Sequence, residues 1–590
     1  MIRFSRSPIR PIVFILGIAF GILFAMEPFA FFPAGGLAAF CGFLLFQELR
    51  KWNIKSALYW LVALSQTVNL VVFFWIPSSI SAISGAGWAV SWTLFLTYGL
   101  FSHAKFYASY LGWYISLNVY SKYGKSEEET SALGWLLFPI WSVLGDLVVP
   151  QLFPWFWGNM AEGNLSFSQI SSYVGIYGTG FFLLVGGSSL ALILEKRISR
   201  TGRIGILVFG IAWTLGGFRL YLAPSFSVPA ETPKLEENVL KLSASLIQPN
   251  SSPGKRELAE NPEFMGQTIS TNLELGLRSS LETSPPPDIL FFPESAVPFH
   301  GTDPTDASVS GSSYSPTFHG TVLYLAYKTG ADILYNELNQ SPDGLKNQVT
   351  LISSNTGEST RYEKRRLLAF GEYLPFESIF PSLRSLFRET SRYVTGGTPK
   401  PLMGERYLKR KRFPSPPTEE EISLIQNPEN FSKSFIDGGS DDKVVYQALP
   451  LICYEAMFPG LVRESIENAS NDTFTFLTNP TNDAWFASRV EAWQHGGAVR
   501  FRAIEFGLTF VRPAVSGISF AVDSYGRILN TPTNYGEKAT ESFLLPATKL
   551  NKKGNTFFSR WGNIPFFLYS ALITALFPFF ASRFVRETRK

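Results

Sequence analysis

Histidine and cysteine are scarce in this chain, with four histidines and two cysteines in 590 residues. No HExxH helix and no CxxC pair occurs, which excludes the common zinc sites. The GxSxG elbow of serine hydrolases and the GxxxxGK[ST] phosphate loop are also missing. Nothing calls for a metal or a cofactor. The net charge of +4 is small and dispersed, so no nucleic-acid partner is implied. Cys41 lies in an apolar run and Cys453 in a polar region, so a disulfide between them is not expected. A free cysteine is usually a small buried hydrophobe. In a domain facing an oxidising compartment, a lone thiol needs another reason.

At this length a single core rarely keeps growing, so at least two units are expected. Residues 11–223 carry long apolar runs, whereas residues 235–550 are polar and of mixed charge. The chain is therefore read as a transmembrane region at 1–223, an extracytoplasmic domain at 224–562 and a final span with a basic tail at 563–590. Apolar runs of roughly 17–25 residues can cross a hydrocarbon core. They fall at about 10–26, 28–46, 56–76, 86–101, 104–119, 172–194, 204–223 and 563–582, eight spans in all. The first follows Arg3, Arg6 and Arg10 as a signal peptide would, but no small-residue cleavage pattern comes after it. It reads as a span.

Short loops that keep Lys and Arg stay in the cytoplasm. Basic residues gather in the N-terminal tail, at Arg50, Lys51 and Lys55, at Lys196, Arg197, Arg200 and Arg203, and at Arg583, Arg586, Arg589 and Lys590. The 77–85 connection has no charge. Eight spans place both termini in the cytoplasm and the 224–562 domain outside. Residues 131–157 read as an interfacial or re-entrant segment, broken by Pro139 and Asp146 and ending in Phe153, Pro154, Trp155, Phe156 and Trp157. Such an aromatic stretch suits a membrane interface, as an anchor or as acyl-chain access. Gly17 and Gly21 form a small-xxx-small pair able to pack helices.

In the polar half, KLSASLIQPN, DILFFPES, ADILYN, NQVTLISS, ALPLICYE, FTFLTNP and GISFAVDSYGRIL look like strands ending in turns. Residues 490–507 read as a helix closing on Gly507. Strands interleaved with helices indicate an α/β domain. Residues 300–316 and 400–443 read as long loops. The second joins a basic block, a proline cluster and an acidic block, as a solvated insertion does. A lid that meets phospholipid headgroups is the alternative. No internal repeat is found.

Three strand ends carry reactive side chains. Glu294 follows DILFFP, Lys364 lies eight residues before Glu372, and Cys453 ends ALPLI ahead of Tyr454 and Glu455. Singly, each has a bland reading as a loop carboxylate, a surface lysine or a core cysteine. Together they supply what acyl transfer needs. A thiol attacks as thiolate, a carboxylate can take its proton, and an ammonium with backbone N–H groups can hold an oxyanion. A Cys–His dyad with His495 stays open at this stage.

DILFFPES, YEKRRLLAFGEYLP, LICYE and TNDAWF, in this order, resemble the Glu-Lys-Cys signature of the nitrilase superfamily. GIAFGILFAMEPFAFFP, LFPW, LIQPN, QHGGAVRFRAIEFG and RWGNIPFF resemble the apolipoprotein N-acyltransferase family. The resemblance implies a polytopic α-helical membrane domain of about eight spans with an extracytoplasmic nitrilase-like α-β-β-α sandwich, in an inner membrane with the sandwich on the periplasmic side. It implies that Cys453 takes an acyl chain from a phospholipid as a thioester. The chain then passes to the N-terminal amine of a diacylglyceryl-modified apolipoprotein. Glu294 matches the family's general base and Lys364 its oxyanion-stabilising lysine. Glu372 matches the glutamate supporting that lysine, and Tyr454 and Glu455 match the residues flanking the nucleophile. The sequence departs from the family at Ala369, at Ala487 and along Arg512–Gly517. Two other readings compete: a membrane-tethered carbon–nitrogen hydrolase, and a non-catalytic relative that binds lipid or lipoprotein.

Overall fold

A computed structural model describes residues 8–121, 127–194, 199–226, 232–251, 262–295, 314–387, 390–408, 418, 442–552, 554–568 and 570–572. The chain forms two compact units. The first holds residues 1–77, 88–223 and 556–590, and the second holds residues 78–87 and 224–555.

The first unit is helical and apolar. Among the described residues, Phe32–Leu49, Ser171–Leu194 and Arg200–Tyr221 are long and apolar enough to cross a membrane. The pair Ile54–Val72 and Ile76–Ala82, bent by 68°, would make a fourth. Helices Ile9–Ala25, Trp88–Ser102 and Ala104–Ser121 lie at three other expected spans. Most of the expected final span, the basic C-terminal tail, and Arg3, Arg6, Lys196 and Arg197 fall outside the described residues.

Small residues let these helices approach closely. A Cβ on Gly21 would press on the backbone of Ala34 and Ala38, and one on Gly17 would meet Cys41. The segment expected at an interface holds a long helix and a buried aromatic stretch. Residues 127–148 form one helix running through Pro139, and Trp155, Phe156 and Trp157 are buried within the unit. The cause is a buried ion pair. Lys105 Nζ lies 2.9 Å from Asp146 Oδ1 and 3.2 Å from the centre of the Trp155 ring. Asp146 Oδ2 accepts the Trp157 N–H at 2.9 Å. With little water available, these charges and N–H groups satisfy one another and draw the aromatic stretch inward.

Among the described residues, the second unit is built on twelve strands: β1 (Lys234–Glu236), β2 (Val239–Gln248), β3 (Ile289–Phe291), β4 (Asp332–Ser341), β5 (Gly344–Ile352), β6 (Ser359–Glu363), β7 (Leu402–Tyr407), β8 (Lys443–Pro450), β9 (Phe474–Thr478), β10 (Phe510–Arg512), β11 (Phe520–Val522) and β12 (Ala539–Lys549). One run is β6-β5-β4-β3-β2-β12 and the other is β7-β8-β9-β10-β11, joined where β12 pairs with β9. The runs meet face to face. The Phe291 and Phe476 rings lie 5.8 Å apart, Tyr446 donates to Asp332 at 2.6 Å, and Arg406 pairs with Asp288 at 3.1 Å.

Alternation along the strands decides the layers. Leu290, Phe292, Ile333 and Tyr335 point outward onto helices Pro262–Glu282 and Tyr314–Thr329. Phe291 points inward to the other run. Helix Arg489–Phe506 covers the second run, with Gly496 against Phe520. It starts on a Ser488 cap and stops at Gly507, where φ is +66°; only glycine takes that conformation without strain. The layers are helix, sheet, sheet, helix. The structure has a strand in every stretch expected above and adds β1, β6, β7, β10 and β12, which the sequence pattern did not indicate. β7 forms at the start of the expected 400–443 loop; nearly all the rest of that loop, and most of 300–316, lies outside the described residues.

Candidate active site

In β8, β9 and β10 the strands run parallel, and such strands present ligand sites at their carboxyl ends. The β8–β9 ladder continues past the strands, with Leu451 N donating to Thr478 O and Cys453 N to Pro480 O, both at 2.8 Å. Cys453 then turns abruptly, at φ +50°, into the short helical turn Cys453–Met457. A left-handed non-glycine residue costs about 1–2 kcal/mol. The surrounding hydrogen bonds must hold it there.

Register brings the partners in from the other run. Gln348 pairs with Glu363, so Lys364 follows opposite Asn347 and donates its N–H to the Asn347 carbonyl at 2.8 Å. Asn336, diagonal to Asn347 across β4 and β5, donates to its side chain at 2.6 Å. Glu294 emerges from the end of β3. Lys364 Nζ lies 3.1 Å from Glu294 Oε1 and 2.8 Å from Glu372 Oε1. Asn347 Nδ2 donates to Glu294 Oε1 at 2.8 Å, and Asn482 N donates to its other oxygen at 3.2 Å. Glu294, Lys364, Glu372 and Cys453 line one cavity with Asn347, Tyr393, Trp485 and Phe486. Its volume is about 50 Å³.

Burial pushes the Cys453 thiol well above its ordinary range; Glu294 adds to this, while Lys364 and Thr481 oppose it. Burial works against the Lys364 ammonium, but Glu294, Glu372 and Cys453 outweigh it and hold its pKa well above the usual lysine value. Burial also raises Glu372, against the pull of Lys364. The resting pair is therefore a neutral thiol beside a charged ammonium. Proton removal from sulfur needs a nearby base.

Tyr454 and Glu455 flank Cys453 differently. Tyr454 stacks edge-on against Phe458 at 4.9 Å. The fully buried Glu455 carboxylate accepts from Arg365 N at 2.7 Å, Arg366 N at 3.0 Å, Ile452 N at 2.8 Å and the Tyr362 hydroxyl at 2.9 Å. It ties the Cys453 turn to the chain carrying Lys364. His495 does not reach sulfur in the way a dyad would. Its Nε2 lies 3.1 Å from the Cys453 carbonyl oxygen.

Several contributors were invisible from spacing. Asn336, Asn347 and Asn479 belong to no spacing or motif that marks them. Arg512 stood only as a departure, yet it grips Asp483 with two contacts of 2.9 Å. Gly517, in the same departure, leaves the space this carboxylate fills. Ala487 sits at φ +48°, and Ala369 lies beside the Phe370 turn. A run of polar residues continuing past β9, TNDAW, was the one available signal.

No family model matches the chain. Apolipoprotein N-acyltransferase 1 of Leptospira interrogans serovar copenhageni is 37% identical over 593 residues, covering 98% of each chain. Apolipoprotein N-acyltransferase 2 of the same organism is 26% identical, covering 72% of each. The apolipoprotein N-acyltransferase of Haemophilus influenzae is 24% identical, covering 95% of this chain and 94% of its own. Among solved structures, a mutant amidase from Nesterenkonia sp. AN1 is 16% identical with a TM-score of 0.31, covering 51% of this chain and 92% of its own. On the near-complete match at 37% identity, the chain belongs to the apolipoprotein N-acyltransferase family.

Proposed function

We propose that this enzyme transfers an acyl chain from a membrane phospholipid, through a Cys453 thioester, to the N-terminal amine of a diacylglyceryl-modified apolipoprotein. The observation that carries the chemistry is Lys364 held between Glu294 and Glu372 in the cavity of Cys453. Glu294 takes the thiol proton as Sγ attacks the ester carbonyl carbon. The oxyanion meets the Lys364 ammonium and the Tyr454 N–H. On collapse the carbon–oxygen bond to glycerol breaks. Glu294 returns its proton to the leaving alkoxide, and lysophospholipid departs. The lipoprotein amine then attacks the thioester and loses a proton to Glu294. The new amide leaves and the thiol is restored.

In this reading Glu372 steadies Lys364, and Tyr454 and Glu455 set the nucleophile's turn. Eight spans, with 224–562 as the catalytic domain, put both termini in the cytoplasm and that domain on the periplasmic side of an inner membrane. The charge distribution of the short loops supports this orientation.

The test is the mass of the purified protein after exposure to phosphatidylethanolamine vesicles. Wild type gains one acyl group on Cys453 and loses it to a diacylglyceryl-cysteine lipopeptide. Cys453→Ala gains none. Glu294→Gln and Lys364→Arg lose about 100-fold or more, since an amide takes no proton and a planar guanidinium does not fit an ammonium site. No adduct on folded wild type, with turnover of small amides, would turn the reading to a carbon–nitrogen hydrolase.

A further inference from the structure

Behind the nucleophile lies a buried group that the transfer scheme leaves unused: Asp483, Glu491, His495 and Arg512. The first three bring oxygen and nitrogen atoms within 4.8 Å of one another, the spacing of a cation site. Arg512 already takes that place. Its Nη2 stands 2.9 Å from both Asp483 oxygens and 3.3 Å from His495 Nδ1, and a second cation would meet a fixed guanidinium.

The open end of this group is His495 Nε2, which points at the Cys453 carbonyl. A carbonyl oxygen only accepts, so Nε2 carries the proton. Nδ1 lies 3.3 Å from Arg512 Nη2, 3.4 Å from Asp483 Oδ1 and 3.7 Å from Glu491 Oε1. The same carbonyl takes a second bond, from Asn479 Nδ2 at 2.8 Å. A trans peptide is planar, and its C=O and N–H point in opposite directions. Two donors that fix the Cys453 carbonyl on the His495 side therefore aim the Tyr454 N–H away from them. Cys453 is left-handed, so this peptide would otherwise relax toward a commoner orientation.

We propose that His495, anchored by Arg512 and Asp483, is a positioning residue that orients the Cys453–Tyr454 peptide so that its N–H serves as an oxyanion donor beside Lys364. This rests on the thioester reading above. It replaces the open possibility of a Cys–His dyad with a role exerted through the backbone.

Two reactions of one sulfur separate these roles. Acylation by phosphatidylethanolamine vesicles develops an oxyanion, whereas alkylation by iodoacetamide does not. In His495→Ala, acylation at saturating lipid should slow about 10–100-fold, with an unchanged half-saturating lipid concentration. Alkylation should keep its wild-type rate and pH midpoint. His495→Gln, which retains an N–H donor, should recover most of the acylation rate. If the alanine variant shows no cooperative melting, His495→Asn, too short to reach the carbonyl, takes its place with the same split expected.

The proposal is overturned if acylation stays at the wild-type rate, or if folded His495→Gln is as slow as the shorter variants. It is also overturned if alkylation slows in parallel or its pH midpoint moves, since His495 would then act on the thiol itself. Failure of wild type to form any thioester would instead remove the functional reading.

Discussion

Around Cys453 each charge has been placed against its intrinsic preference. Burial and Glu294 keep the thiol protonated, and Lys364 is the cation that opposes them. The sign of a Glu294→Gln change follows. Removing that negative charge should lower the thiol's pKa, so the pH midpoint of iodoacetamide alkylation moves down while acyl transfer fails. A midpoint that stays put or rises would show that Glu294 does not face the sulfur as argued.

Asp483 has the opposite balance. Burial would raise it, but Arg512 and His495 outweigh burial and hold it down to about 2. An unfolded aspartate titrates near 3.9. Because the folded value is depressed, the stabilisation is fully present above about pH 4 and is lost as pH falls toward 2. Its size is on the order of 2 kcal/mol. Glu491 is raised by burial and by Asp483 and contributes with the opposite sign, so the comparison must be with Asp483→Asn. The melting-temperature gap between wild type and this variant should be widest above pH 4 and shrink below it.

At the scale of elements, small residues and one ion pair fix how the first unit packs. Gly17 and Gly21 were legible as a helix-packing pair, and they do meet Cys41, Ala34 and Ala38 of helix Phe32–Leu49. The Lys105–Asp146 pair was not legible, because Asp146 alone looked like a break in an apolar run. Losing one partner of a buried pair leaves the other charge uncompensated, at a cost of about 3–5 kcal/mol. Asp146→Leu should therefore destabilise the protein in detergent melts. Lys105→Met combined with Asp146→Leu should regain most of the loss. Equal damage in single and double variants would mean the pair matters through Trp155 and Trp157 instead.

The whole molecule divides between an apolar helical unit and a sandwich that contains the entire candidate site. Residues 78–87 show why such a boundary is hard to read along a chain. They follow a helix of the first unit, yet they cluster with the second, where the Ser79 hydroxyl donates to the Phe486 carbonyl at 3.0 Å. Phe486 lines the Cys453 cavity. The proposed orientation can be checked by impermeant maleimide labelling of intact cells after both native cysteines are replaced by serine. A cysteine at Ile379, 66% exposed in the sandwich, should label directly. One at exposed Arg200 should label only after permeabilisation. The reverse pattern would overturn the orientation.

Whatever depends on neighbours in sequence was determined by the sequence itself. Apolar runs, alternating strands, the Gly507 stop and the strand-end positions of Glu294, Lys364 and Cys453 are local properties, set by periodicity and turn chemistry. Only the tertiary structure decided which of these meet. Strand register placed Asn347 opposite Lys364. The parallel ladder of β8 with β9 set Cys453 beside Pro480, and packing turned His495 toward a carbonyl oxygen rather than a sulfur. The aromatic stretch at 153–157 went inward because a lysine some fifty residues earlier needed its carbonyl, its ring and Asp146. Spacing cannot reveal such partners, because satisfying a buried charge or carbonyl depends on distance through space, which the whole fold sets.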